Sequence, residues 1–166
     1  ECSIADMRTM VENAPLELEV FLHGALCVCH SGQCLFSSIV GGRSGNRGLC
    51  AQSCRLPFSH SKNGNEHCLS LKDLCLAKHI DKIIDCGVTS LKIEGRMKRS
   101  EYAAGVTALY RKYIDRYYEF PDKPLRISGE DRYILEHLYM RSELHDGYLF
   151  KHNGKEMITG DAPSYN

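Results

Sequence analysis

The sequence predicts an α/β fold built on parallel strands, arranged as a sheet or a barrel, and three observations carry that expectation. Residues 16–22 alternate Leu and Glu before turning fully apolar at Val20, Phe21 and Leu22, as a strand does on entering a buried sheet. A helical pattern over 73–86 is followed by a strand at Thr89–Ile93 and a second helical pattern over 100–118, the alternation expected of parallel α/β units. Between these blocks the stretch Glu19 to Arg55 becomes a glycine-rich loop that holds five of the nine cysteines.

Taken in order, Ser3 is expected to cap a short surface helix whose apolar face is Ile4, Met7, Met10 and Val11, stopped by Asn13, Ala14 and Pro15. His23 and Gly24 fall at the C-terminal end of the first strand. A short helix from Gly32 to Val40 precedes the breaker-rich run GGRSGNRG over 41–48. The polar segment 57–66 reads as a hairpin tip with Asn63-Gly64 as its turn, flanked by weak strands around Leu56 and Leu69. Leu74, Leu76, Ala77, Ile80, Ile83 and Ile84 share a helix face, and Gly87 stops that helix. Past Pro121 and Pro124 a helix over 130–139 precedes a polar tail. The expected organisation is a partial barrel over 1–120 with its cysteine-rich loop at 24–57, then a linker over 121–166 that starts a following region.

Composition narrows the function classes. A chain of 166 residues, 43% hydrophobic, is enough for one core. Twenty-one basic and twenty-one acidic side chains cancel, so contact with nucleic acid requires a local patch. An odd number of cysteines, nine, with no signal peptide or long apolar run, argues against a secreted disulfide scaffold or a membrane protein and for reduced thiols in the cytoplasm. The chain begins with Glu1 rather than Met, within the approach to a helix, so it is expected to be a piece of a longer protein.

Cys27, Cys34, Cys50 and Cys54, spaced by seven, sixteen and four, suit a thiophilic metal. Only Cys50 and Cys54 have the close spacing typical of structural zinc, whereas iron–sulfur sites tolerate wider gaps. Iron–sulfur ligation, zinc ligation and unligated thiols all stay open on spacing alone. Cys29 is a weaker candidate, Cys75 and Cys86 are expected on a helix as small core residues, and Cys68 is the reserve ligand if the hairpin folds back.

Glu19-x-Phe21-x-x-Gly24-Ala25-Leu26-Cys27, then Gly32-x-Cys34 and Ser37, resembles the signature of the collagenase-like peptidase family of unassigned catalytic type. CAQSCR at 50–55 and SLKIEGRMKRSEYAAGV at 90–106 are similar to its later blocks, so the likeness covers about residues 16–118. Phe36 departs from the usual aliphatic residue, a minor change that puts no ligand in doubt. The resemblance implies the C-terminal part of a TIM-like parallel barrel whose N-terminal half lies outside this chain. It also implies a 4Fe-4S cluster held by Cys27, Cys34, Cys50 and Cys54. Members are named as proteases, yet several resemble oxygen-independent hydroxylases of a tRNA uridine, an rRNA cytidine or the ubiquinone ring, and the RNA-modifying ones are associated with prephenate as co-substrate.

Glu94 and Arg96 follow the end of a buried strand, where barrel enzymes place working residues, and His23 occupies the equivalent end of the earlier strand. Their structural alternatives are a rim ion pair and a satisfied core histidine. Arg43, Arg47 and Arg55 flank the cysteines, either to bind phosphate or carboxylate, as solvated loop residues, or, for Arg55, to offset a negative cluster. There is neither a GxSxG nor an HExxH motif. A His23–Cys27 pair would compete with the ligand role of Cys27. Three functions are thus weighed: an iron–sulfur RNA hydroxylase with His23, Glu94 and Arg96 at its substrate end, a peptidase, and a noncatalytic metal-stabilised binding module.

Overall fold

The computed structural model describes residues 2–61, 64–95, 98–138, 140–152 and 154–164. The first helix, α1 (Ile4–Asn13), begins at Ser3, whose hydroxyl accepts the Asp6 N–H while the Asp6 carboxylate accepts the Ser3 N–H. This reciprocal cap satisfies donors that a helix start leaves open and contributes about 1 kcal/mol. Met7 is the residue that α1 buries.

Strand β1 (Glu19–Gly24) is the hinge of the architecture. On one side it pairs parallel with β5 (Ser90–Ile93), from Glu19 opposite Ser90 to His23 opposite Ile93. On the other it pairs antiparallel with β4 (Asp73–Cys75), His23 opposite Cys75 and Gly24 opposite Leu74. A short strand β6 (Leu144–His145) joins β4 in parallel, giving the order β5-β1-β4-β6. Parallel pairing is therefore confined to β1–β5 and β4–β6, and the described strands form a mixed α/β arrangement rather than an all-parallel one. The β1–β5 register is irregular between Phe21 and His23, and the carbonyl of Leu22 there accepts from both the Leu76 N–H and the Tyr110 hydroxyl, each at 3.0 Å.

A second, antiparallel sheet contains β2 (Phe58–Ser61), β3 (Gly64–Leu71) and β7 (Ile158–Gly160) in the order β2-β3-β7. The predicted hairpin is present as β2 and β3; its turn residue Asn63 lies outside the described residues. The helix expected over 73–86 is shorter. Asp73–Cys75 is strand, and α3 spans only Ile80–Asp85. Leu74 and Leu76 fit either period, and pairing with the end of β1 decides for strand. Cys75 consequently sits on β4, buried, while Cys86 is buried at the C-terminal cap of α3. The helix expected over 32–40 is confined to α2 (Phe36–Gly41).

Helix α4 (Ser100–Glu119) covers the first sheet with Tyr102, Val106, Leu109, Tyr110 and Tyr113, residues at the i, i+4, i+7, i+8 and i+11 positions of one face. Ile80 and Ile83 of α3 join them at 0% exposure, as does Val106, and each contributes roughly 1.5–3 kcal/mol by leaving water. Residues 121–164, expected to lead onward as a linker, carry α5 (Gly129–His137), β6 and β7. They also place Leu135 and Leu149 in this core.

Asp131, in the first turn of α5, is buried and accepts from Lys112 Nζ at 2.6 Å and from the Tyr113 hydroxyl. The Lys112 contact, then that of Tyr113, holds its carboxyl down at about 2. An unfolded Asp binds its proton near pH 4, so the folded chain binds fewer protons than the unfolded one between these values. The contribution is complete above about pH 4 and is lost as pH falls through about 2. Asp131→Asn is expected to lower unfolding stability at pH 7 by about 2 kcal/mol, the size of a hydrogen bond to a charged group. Denaturant titrations of wild type and variant at pH 7 and pH 2 check this, because a gap of equal size at both pH values would exclude the carboxylate as its source.

Candidate functional site

The site is assembled where β1 and β5 end. Just past β5 the Glu94 N–H donates to the His23 carbonyl of β1 at 2.8 Å, and the Tyr102 hydroxyl donates to the Glu94 carbonyl at 3.1 Å. Gly24 follows with φ +114, a backbone angle that favours glycine. A Cβ there would stand 2.5 Å from the Glu94 carbonyl oxygen. Two main chains thus touch at this point, and the chain leaves it directly into the cysteine loop.

Two cavities meet beside that contact. The first, about 340 Å³, is lined by His23, Gly24, Leu74, Leu76 and Glu94 together with residues of α1. The second, about 350 Å³, is lined by Cys27, Cys34, Cys50 and Cys54, and also by Gln52, Arg55, Glu94, Lys98 and Arg141. Ala25, Leu26, Cys27, Ser31 and Glu94 belong to both. All four cysteines singled out by spacing are therefore brought to one cavity, whereas Cys29, Cys68, Cys75 and Cys86 do not line it. His23 and Glu94 are also brought together, on the neighbouring cavity. Arg96 lies outside the described residues.

The loop is held by contacts to sulfur and by short polar side chains. Ser37, buried on α2, accepts the Ala51 N–H at 3.0 Å and directs its hydroxyl at Cys50 Sγ, 3.7 Å away. The Gln52 N–H points at the same sulfur from 3.3 Å. Gln52 has φ 57 and is the non-glycine residue with a left-handed backbone among those described, a turn that lets Cys50 and Cys54 face the same space. Burial pushes the thiols of Cys27 and Cys54 up, and neighbouring sulfurs of the set push them further. Among the described residues no three His, Cys, Asp or Glu side chains converge to hold a single metal ion. The four cysteines share the lining of one cavity.

His23 is buried, and burial followed by the charge of Lys98 lowers it to about 4, so its imidazole is neutral near pH 7. Its Nδ1 lies 3.2 Å from the Tyr110 hydroxyl, whose proton is committed to the Leu22 carbonyl. With the Tyr110 proton on that carbonyl, the Nδ1 tautomer carries the ring hydrogen and Nε2 is an acceptor. A cysteine peptidase dyad needs the opposite arrangement, with a depressed thiol beside a histidine that readily takes its proton. Lys98, Arg141 and Gln52 were not anticipated from sequence. Only the position of Gln52 between two ligand candidates offered a signal, and Arg141 comes from a segment more than eighty residues away.

Residues 1–159 match the family profile described as Peptidase family U32. The chain is 40% identical to tRNA hydroxylation protein P1 of Bacillus subtilis (strain 168) over 134 residues, 74% of this chain and 32% of that protein. It is 40% identical to the 23S rRNA 5-hydroxycytidine C2501 synthase of Escherichia coli (strain K12) over 121 residues, 69% of this chain and 18% of that protein. A protein named collagenase from Porphyromonas gingivalis is 39% identical over 109 residues, 62% of this chain and 30% of its own. The chain thus spans a third or less of the length of these relatives. No solved structure matches. No helix among the described residues is long and apolar enough to cross a membrane. With its signature cysteines gathered at one cavity and its profile matched from end to near end, the chain belongs to peptidase family U32.

Proposed function

We propose that this chain carries the iron–sulfur centre and part of the substrate end of an enzyme that hydroxylates an RNA base, a tRNA uridine or an rRNA cytidine, without oxygen. The observation that carries the reading is the meeting of four cysteines around a cavity of about 350 Å³ whose wall continues, through Glu94, into the cavity of His23. The donor set fits a 4Fe-4S cluster better than zinc. A single tetrahedral zinc ion would need its sulfurs within about 4 Å of one another, given Zn–S bonds of about 2.3 Å. Thiolates spread around a cavity match the corners of a larger group. Such a cluster supplies electron transfer when bound.

The remaining roles belong to the protein. Cys27, Cys34, Cys50 and Cys54 would be its ligands. His23 lines the first cavity, and its neutral imidazole is fitted to a hydrogen bond with a base rather than to taking up a proton. Glu94 stands between the two spaces and is placed to take a proton as the hydroxyl is introduced. Arg96, next but one in sequence, is assigned to the same end of the barrel from its position after β5. Lys98 and Arg141 line the sulfur cavity and would meet an anionic co-substrate such as prephenate. The TIM-like barrel would be completed by an N-terminal half, consistent with the greater length of the relatives. Nine free thiols suit a reducing, cytoplasmic setting.

The test is mass spectrometry of RNA from a strain lacking the complete gene. Loss of one hydroxyl mass from tRNA or rRNA, restored by the wild-type gene, is expected. Unchanged RNA together with lost cleavage of a collagen-type substrate would favour the peptidase reading, and unchanged RNA with intact iron binding would favour a binding module. Complementation with Glu94→Gln is expected to lower the modification rate roughly 100-fold, the scale of one general acid or base, while iron content and fold are kept. Loss of iron and unfolding in this variant would instead assign Glu94 a structural role.

A further inference from the structure

Arg55 is 2% exposed although it lies in a loop, and its contacts explain why. One guanidinium nitrogen, Nη1, donates to the Ser70 hydroxyl at 3.1 Å and to the Leu71 carbonyl. The other, Nη2, donates to the Leu26 carbonyl at 3.2 Å and stands 3.9 Å from Asp73 Oδ1. Leu26 precedes Cys27, and Arg55 itself follows Cys54. A single side chain thereby ties two of the four cysteines to the end of β3 and the start of β4.

The tie extends to a third. Asp73, 4% exposed, accepts the Arg141 N–H at 3.0 Å through Oδ2, while its Oδ1 makes no hydrogen bond. Arg141 in turn donates to the Gln52 side chain, and the Gln52 N–H points at Cys50 Sγ. Arg55, Lys98 and Arg141 thus line the sulfur cavity together with Glu94 and the four cysteines.

We propose that Arg55 is the positioning residue of the sulfur centre, holding Cys27 and Cys54 in register through Leu26 and the backbone, and that its buried charge raises the reduction potential of the iron–sulfur group. This rests on the iron–sulfur reading given above. Reduction adds negative charge, and a fixed cation nearby favours the reduced form. Asp73 acts with the opposite sign.

The experiment uses the complete protein, purified anaerobically, with iron and sulfide content and reduction potential followed by spin resonance. Arg55→Gln is expected to shift the potential to more negative values and to release iron to a chelator several-fold faster. Arg55→Lys keeps the charge, so its potential stays near that of wild type while iron release still quickens. Asp73→Asn is expected to shift the potential in the positive direction, an opposite-sign response that a merely structural role does not produce and that remains measurable if Arg55→Gln fails to fold. Wild-type protein without iron would overturn the iron–sulfur reading and this proposal with it. Iron-loaded protein whose potential is unmoved by Asp73→Asn, and by Arg55→Gln where that variant folds, would overturn the proposal alone.

Discussion

Replacing any one of Cys27, Cys34, Cys50 and Cys54 by Ala is expected to strip most of the iron from the anaerobically purified complete protein and to abolish its broad visible band. The four line one cavity, and a cubane cluster needs all its corners held, so removal of one sulfur leaves three thiolates that repel one another. Burial first, and the neighbouring sulfurs after it, push the thiols of Cys27 and Cys54 up. Cys68→Ala is the control. It lies on β3, does not line the cavity, and should leave iron and colour unchanged. Full iron content in Cys34→Ala and Cys54→Ala would refute the ligand assignment and return attention to Cys68 and Cys75.

Gly24→Ala is expected to be the most damaging single substitution outside the cysteines. Its φ of +114 is strained for any residue with a Cβ, and that atom would stand 2.5 Å from the Glu94 carbonyl oxygen and 2.9 Å from its Cβ. Backbone strain and overpacking each cost about 1–3 kcal/mol, so a loss of roughly 4 kcal/mol is expected. The obstacle is main chain, which cannot rotate aside, and relief requires β1 and β5 to separate. Gly32→Ala isolates the two causes, because Gly32 also has positive φ, +76, but has nothing within 4 Å of its added Cβ. Denaturant unfolding of both variants measures the difference. Equal losses would show that close approach of the two strands is not what fixes Gly24.

What could be read from the sequence depended on whether the deciding interaction was local. The Ser3 cap, the stripe from Tyr102 to Tyr113 and the apolar runs of β1 and β5 are local patterns, and each is present. The signature around Cys27, Cys34, Cys50 and Cys54 singled them out without reference to the fold, and the four line one cavity. Strand β4 was missed because Asp73–Cys75 is too short to show a period, and its identity comes from pairing with His23 and Gly24 some fifty residues earlier. Strands β6 and β7 were missed for the same reason, two or three residues each with partners on remote strands. The burial of Arg55 could not be foreseen either. An arginine beside a cysteine in a loop reads as solvated, and only the arrival of Ser70, Leu71 and Asp73 supplies its partners.

The topology also orders events in time. Strands β1 and β5 join residues 71 positions apart, and β4 with β6 and β3 with β7 are comparably remote, so both sheets must wait for most of the chain to be made and for long loops to close. One corner of the cysteine loop needs no such wait, since Ser37 accepts the Ala51 N–H and directs its hydroxyl at Cys50 within a local segment, whereas the Arg55 tie on Cys27 and Cys54 forms only once Ser70 and Leu71 are made. These local contacts at Cys50 can form while the walls supplied by Lys98 and Arg141 are still absent. The arrival of the C-terminal segment, which sets Arg141 against the Gln52 side chain, is the step that completes the wall around the four cysteines.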